Sequence, residues 1–165
     1  MMVVGLLRYV AGAAFALATL APAVLAHSTT GVQAELEGRE RYVQFVEREA
    51  PSFVLADVEG REVRLADFGG KVVMLNFIYA RCREKCPLHS RLIAEVQSQL
   101  GEAGLGDRVQ FLSIATDTED PKDTADILRG YGARYGLDPA NWVFLHGGTG
   151  GTDTGIEVAK RYGLE

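Results

Sequence analysis

From Ser52 onward the apolar positions fall into short runs separated by helical stripes, an alternation that predicts an α/β sheet. The strongest run is Val72 to Ile78 (VVMLNFI), which reads as a strand buried on both faces. Before it, Ser52 to Asp57 and Glu62 to Leu65 read as two short strands around Glu59-Gly60, a hairpin. After it, Pro87 opens a helix with Leu88, Leu92, Val96 and Leu100 at four-residue steps. Ile93 widens that stripe and Gly101 ends the helix. Arg108 to Thr116 (RVQFLSIAT) is the next strand. Asp120 and Pro121 then supply the N-cap and first position of a second helix, with Asp123 in its first turn. Its apolar face is Ile127, Leu128, Tyr131 and Tyr135. Trp142 to Leu145 is a short strand, and Thr154 with Glu157 forms a capping box for a last helix ending near Tyr162. The order predicts at least three parallel strands.

The N-terminal part follows a different pattern. Arg8 precedes an uncharged apolar run from Tyr9 to Leu25, and Ala21-Pro22-Ala23 and Val24-Leu25-Ala26 offer small residues for cleavage. Residues 1–26 therefore read as an export signal or, if retained, a membrane anchor. Both place the domain in an extracytoplasmic, oxidising space, the periplasm, soluble or held to the membrane by this segment. Residues 27–49 read as a linker and a short amphipathic helix (Arg39 to Ala50) that Pro51 stops. Residues 50–165 form the domain proper.

Composition removes several function classes. The chain of 165 residues is 47% hydrophobic and 24% charged, which excludes a disordered polymer. A net charge of −5 without a basic cluster argues against nucleic acid as partner. The glycine-rich stretch from Gly147 to Gly155 is a loop and lacks the Gly-Lys-Ser/Thr of a phosphate cradle.

The candidate chemistry is the pair Cys82 and Cys86, the chain's only cysteines, between the strongest strand and the helix that follows it. A disulfide across so few residues would constrain little of the unfolded chain, so a structural staple explains it poorly. A redox couple or a metal clamp explains it better. Pro87 disfavours helical geometry at Cys86, which places the pair in a loop with Cys86 near the N-cap. The helix N-terminus and the cations Arg81, Arg83 and Lys85 are expected to lower the thiol pKa values, with Glu84 opposing.

The residues Ala50-Pro51-Ser52-Phe53, Gly70-Lys71-Val72-Val73, Asn76-Phe77-Ile78-Tyr79 and Cys82-x-x-x-Cys86-Pro87 resemble the Sco/SenC family of thioredoxin-like copper proteins. Asp120-Pro121 with Asp123-Thr124, and Asn141-Trp142-Val143-Phe144-Leu145, are similar to its later landmarks. The resemblance implies a thioredoxin-like fold and a copper metallochaperone that binds Cu(I) through Cys82 and Cys86. The implied partner is a subunit of cytochrome c oxidase, or another copper-site protein, during assembly. It also implies a third ligand, a histidine, on a segment after the last helix, and a closing strand pair and helix. The 165 residues show neither, so the expected domain is C-terminally incomplete, with an uncovered sheet edge.

Among the histidines, His89 follows Cys86 by one turn and reads first as a buried, hydrogen-bonded residue, second as a metal contact. His146 reads as a loop residue without a role, and His27 as an exposed linker residue that could chelate copper at a new N-terminus. The rival function is a thiol-disulfide oxidoreductase using Cys82 and Cys86 as a catalytic redox pair. A peroxidase is disfavoured because Tyr79 stands where a peroxiredoxin carries Thr.

Overall fold

The computed structural model describes residues 46–82, 85–117, 120–148 and 151–164, and the compact unit runs from Arg48 to Glu165. Strands β1 (Val54–Asp57) and β2 (Glu62–Arg64) form the expected antiparallel hairpin. Its turn is built by Asp57, whose Oδ1 accepts the amides of Glu59 and Arg61, both at 2.9 Å. Gly60 takes the φ of +81° that this turn needs. A 3-10 turn (Leu65–Phe68) then leads to β3 (Val72–Ile78). Helix α1 (Lys85–Glu102), strand β4 (Val109–Ala115), helix α2 (Pro121–Tyr135), strand β5 (Trp142–His146) and helix α3 (Gly155–Arg161) follow.

The sheet order is β2-β1-β5-β4-β3, with β3, β4 and β5 parallel and β1 antiparallel to β5. Side chains alternate across it. Met74, Phe111, Trp142 and Phe144 meet α1 and α2 on one face, with Ile93 and Tyr131 between them. Leu75, Leu112, Ile114 and Leu145 meet Val158 of α3 on the other, together with Phe53 and Leu55. Both expected caps form. Asp120 Oδ1 accepts the Lys122 amide at 2.9 Å, and Thr154 exchanges bonds with Glu157.

Three expectations are corrected. β3 is not the strand buried on both faces. It lies at the sheet edge, Val72 is 67% exposed and five of its residues are half-buried. β4, flanked on both sides, is the strand buried at every position. A hydrophobic run records what a strand can bury, whereas the edge is set by which strands pair beside it. The free edge of β3 carries no strand among the described residues.

The second correction concerns α1. Leu88, Leu92 and Val96 are 63%, 55% and 39% exposed, and Ser90, Ile93 and Gln97 are inside instead. The polar residues go in because they are satisfied there. Ser90 Oγ pairs with Tyr131 Oη at 3.0 Å. Gln97 donates to the Asp138 carbonyl and to Asn141 Oδ1, and accepts the Asp138 amide. Third, Val46 to Ala50 is not helical, and the rest of the proposed helix from Arg39 lies outside the described residues.

Asp153 ties α3 to the hairpin. Its Oδ2 accepts the Val54 amide at 2.7 Å, and Arg161 reaches both its oxygens at 3.1 and 3.0 Å. The Arg161 hydrogen bond, then the Val54 amide and the Arg161 charge, outweigh partial burial and hold this carboxyl below its ordinary pKa. Because the folded-state pKa is depressed, the contribution is present above the unfolded carboxylate pKa and is lost as pH falls through the folded one. Asp153→Ala is expected to cost about 1–2 kcal/mol at neutral pH. Urea titrations at pH 7 and pH 3 should show that difference shrinking in acid.

Candidate metal and thiol centre

The parallel pairing of β3 with β4 brings their C-terminal ends together, with Ile78 opposite Ala115. The two loops leaving these ends therefore adjoin, and Thr116 donates its amide to the Ile78 carbonyl at 2.9 Å. The first loop turns tightly, as Cys82 donates its amide to the Tyr79 carbonyl at 2.9 Å. The next described residues open α1, so Cys86 lies in the first helical turn rather than in the loop. Pro87 is tolerated at the third helical position because first-turn amides have no partner within the helix. Cys82 Sγ serves one of these orphans, accepting the Cys86 amide at 3.4 Å.

Neither cysteine is in a disulfide. Both are thiols of intermediate exposure, and their side chains are within hydrogen-bonding reach of each other. The expected lowering of thiol pKa does not hold for Cys86. Burial pushes its thiol up, Cys82 and the Asp117 charge add to this, and only a hydrogen bond from the Tyr79 backbone pulls down. Burial is the largest of these, and Arg81, the neighbouring cation, is directed elsewhere. Its guanidinium turns to the buried carboxylate of Asp117 at 3.2 Å, and lies 3.5 Å from Thr124 Oγ1. Its charge is thus matched by Asp117. Arg83 and Glu84 lie outside the described residues.

Asp117 is the residue that sequence reasoning left unassigned. Its side chain is fully buried and accepts the amides of Ala80 at 2.9 Å and Arg81 at 3.1 Å. It clamps the peptide that carries Cys82. The available signal was topological: strands joined by one crossover helix pair side by side, so an acidic residue just after β4 faces the loop after β3. Tyr131 joins the site from α2. Burial raises its phenol pKa, a hydrogen bond with Ser90 opposes this, and the neighbouring cysteines add a smaller upward push.

The histidines fall elsewhere. His89 is exposed rather than buried, on the outward side of α1. His146 is not a loop residue but the buried end of β5. Its Nε2 lies 3.0 Å from the Asp57 carbonyl and its Nδ1 2.7 Å from that of Gly147, so both ring nitrogens are occupied. His27 lies outside the described residues. Among the described residues no three His, Cys, Asp or Glu side chains are grouped to hold a metal. The site's soft donors are the two sulfurs.

A profile of the SCO1/SenC family matches residues 41–162. The chain belongs to this family. It is 27% identical over 99 residues to a SCO1 protein homolog of Bacillus subtilis, covering 60% of this chain and 49% of that protein. It is also 27% identical over 117 residues to the thiol-disulfide oxidoreductase ResA of Bacillus thuringiensis, covering 71% and 57%. The chain thus spans about half the length of the curated relatives it matches.

Solved Sco structures give the same fold. BsSco, a Sco-family cytochrome c oxidase assembly protein with a disulfide switch, aligns at TM-score 0.56 and 26% identity, covering 68% of this chain and 61% of its own. Bradyrhizobium japonicum ScoI, solved with copper bound, aligns at TM-score 0.56 and 26% identity, covering 70% and 67%. The α/β sheet with flanking helices is thus thioredoxin-like, as expected. No helix among the described residues is long and apolar enough to cross a membrane.

The raised Cys86 pKa has a kinetic consequence, because the thiolate is the species that reacts. Alkylation of Cys86 by iodoacetamide at pH 7 is expected to be several-fold slower than for a free cysteine. The rate should climb about tenfold per pH unit until the raised pKa is passed. Mass-mapped labelling across pH 6 to 10 checks this.

Proposed function

We propose that this member of the SCO1/SenC family is an extracytoplasmic copper chaperone. It takes one Cu(I) between the sulfurs of Cys82 and Cys86 and passes it to a subunit of cytochrome c oxidase during assembly. The observation that carries this reading is two unbridged cysteines at the head of α1, with Cys82 Sγ 3.4 Å from the Cys86 amide, on a peptide pinned by Asp117. Cu(I) is soft and prefers thiolate, and two sulfurs suffice for a low-coordinate site. Loading releases the thiol protons, so uptake strengthens as pH rises through the Cys86 titration. The copper-bound relative supports this choice of metal. The N-terminal apolar segment, with Arg8 before it, supports export to an oxidising space. His89 is exposed one turn from Cys86 and is the side chain to examine as an added ligand.

A second reading is favoured by the ResA relatives, a thiol-disulfide oxidoreductase on the same sulfurs. In it the Cys82 thiolate attacks a partner's disulfide, and the first partner sulfur leaves as a thiolate. The Cys86 thiolate then attacks Cys82 Sγ in the mixed disulfide and releases the second. The partner gains two electrons, and Cys82–Cys86 is left as a disulfide. The raised pKa suits Cys86 to the resolving step.

Titrating the reduced and the oxidised protein with Cu(I) against a chelator separates the readings. The chaperone requires uptake of one Cu(I) by the dithiol and none by the disulfide. Rapid catalytic reduction of a model disulfide without Cu(I) retention would select the enzyme.

A further inference from the structure

A cavity of about 780 Å3 is lined by no residue of the cysteine loop or of α1. It opens between the hairpin, α2 and β5. Its origin is a strand edge left unpaired. β4 pairs with Trp142 through Leu145 on one side of β5, but on the other side β1 pairs only with Leu145 and His146. The next rung would place Val58 opposite Phe144, and the chain turns away there because Asp57 captures the amides of Glu59 and Arg61. Phe111 donates its amide to the Asn141 carbonyl at 2.8 Å, so Asn141 and Val143 turn their backbone groups to β4. Backbone groups alternate along a strand, and those of Trp142 and Phe144 therefore face the cavity.

The walls are apolar, with Val63 and Phe68 on one side and Leu128 and Leu137 on the other. The charged lining residues are Asp57, Glu59, Glu62 and Asp67 against Arg61 and Arg129, four acids to two bases. Arg61 is paired with Asp57 and Glu59, Arg129 with Asp126 and the Val58 carbonyl at 2.6 Å, and Glu62 with Arg64 from outside the lining; counting Arg64 and Asp126, the rim still carries two more acids than bases. A free backbone edge, apolar walls and a net negative rim describe a site for an extended chain.

We propose that this groove docks a partner protein through an extended segment of alternating apolar and basic residues. The segment lies antiparallel to β5, in line with β1, and pairs with the backbone of Trp142 and Phe144. Its apolar side chains enter between Phe68 and Leu128, and its basic ones meet Glu59, Glu62 and Asp67. The site is separate from the thiols and independent of what they bind.

The test uses the full chain and an acetylated, amidated heptapeptide of alternating Lys and Val. Trp142 is the only tryptophan and lines the groove, so its fluorescence reports occupancy. A saturable change in emission is expected, together with slowed hydrogen exchange at the Phe144 amide. Methylating alternate peptide nitrogens, replacing Lys by Glu, or introducing Ala133→Phe at the exposed rim of the groove should each weaken binding at least tenfold. Absence of saturable binding would overturn the proposal, as would binding that persists with the methylated peptide or in Ala133→Phe. Equal binding of the Glu peptide would overturn its charge argument. Phe144 protection that rises with protein concentration alone would assign the groove to a second copy of this chain instead.

Discussion

Cys82→Ser and Cys86→Ser are each expected to reduce Cu(I) retention below detection in a chelator competition, while the fold is kept. Each change leaves one thiolate, and among the described residues no group of three donors stands ready to replace the lost sulfur. A hydroxyl is a hard donor that a soft monovalent ion does not favour. The two variants should differ in another respect. Cys82 Sγ accepts the Cys86 amide at the head of α1, a role that a serine oxygen fills as a good cap. Cys82→Ser should therefore unfold at or slightly above the wild-type temperature. Cys86→Ser puts a hydroxyl where burial already disfavours charge, and a small loss is expected. Thermal unfolding alongside the competition assay separates loss of the ion from loss of the fold. For Cu(II), which favours imidazole as well as sulfur, binding should be weak in the wild type. His89→Ala should leave it unchanged, and a loss of Cu(II) in that variant would make His89 a ligand.

The second large effect is expected at Asp117. The carboxylate is fully buried and holds two backbone amides and the Arg81 guanidinium. Asp117→Ala leaves the two amides without their acceptor and removes the buried charge that faces Arg81. Removing one partner of a fully buried pair costs about 3–5 kcal/mol. Arg81 is 28% exposed and water can reach it, so about 2–3 kcal/mol is expected here. For a domain of this size the midpoint should fall by roughly 5–15 °C. The loop carrying Cys82 should loosen as well, weakening Cu(I) retention although both sulfurs remain. Asp117→Asn separates the causes. It keeps one oxygen for the amides and removes the charge that helps to raise the Cys86 pKa. Cys86 should therefore alkylate faster in Asp117→Asn than in the wild type, while this variant unfolds later than Asp117→Ala. Calorimetry and labelling rates measure the two consequences independently.

Much of this architecture could be read from local signals. The hairpin around Gly60, the Asp120 cap and the Thr154–Glu157 capping box each depend on residues a few positions apart, and each forms as read. What could not be read depends on distant residues. The Leu88, Leu92 and Val96 stripe looks like a buried face until Ser90 and Gln97 find partners about forty residues away. The run from Val72 to Ile78 looks central, although among the described residues only β4 pairs with it. The basic surroundings of the thiols are similar: Arg81 stands beside Cys82 in sequence, but its charge is directed to Asp117, 36 residues on. The cysteines themselves were legible because their spacing, the strand before them and the proline after them are all local.

Whether Cys82 and Cys86 together hold copper is decided by X-ray absorption at the copper edge. Protein loaded with Cu(I) under reducing conditions should hold one copper per chain with two sulfur scatterers, and Cys82→Ser should lose the metal. A copper that is retained in Cys82→Ser, or that is surrounded by nitrogen and oxygen alone, would rule out the two-sulfur site.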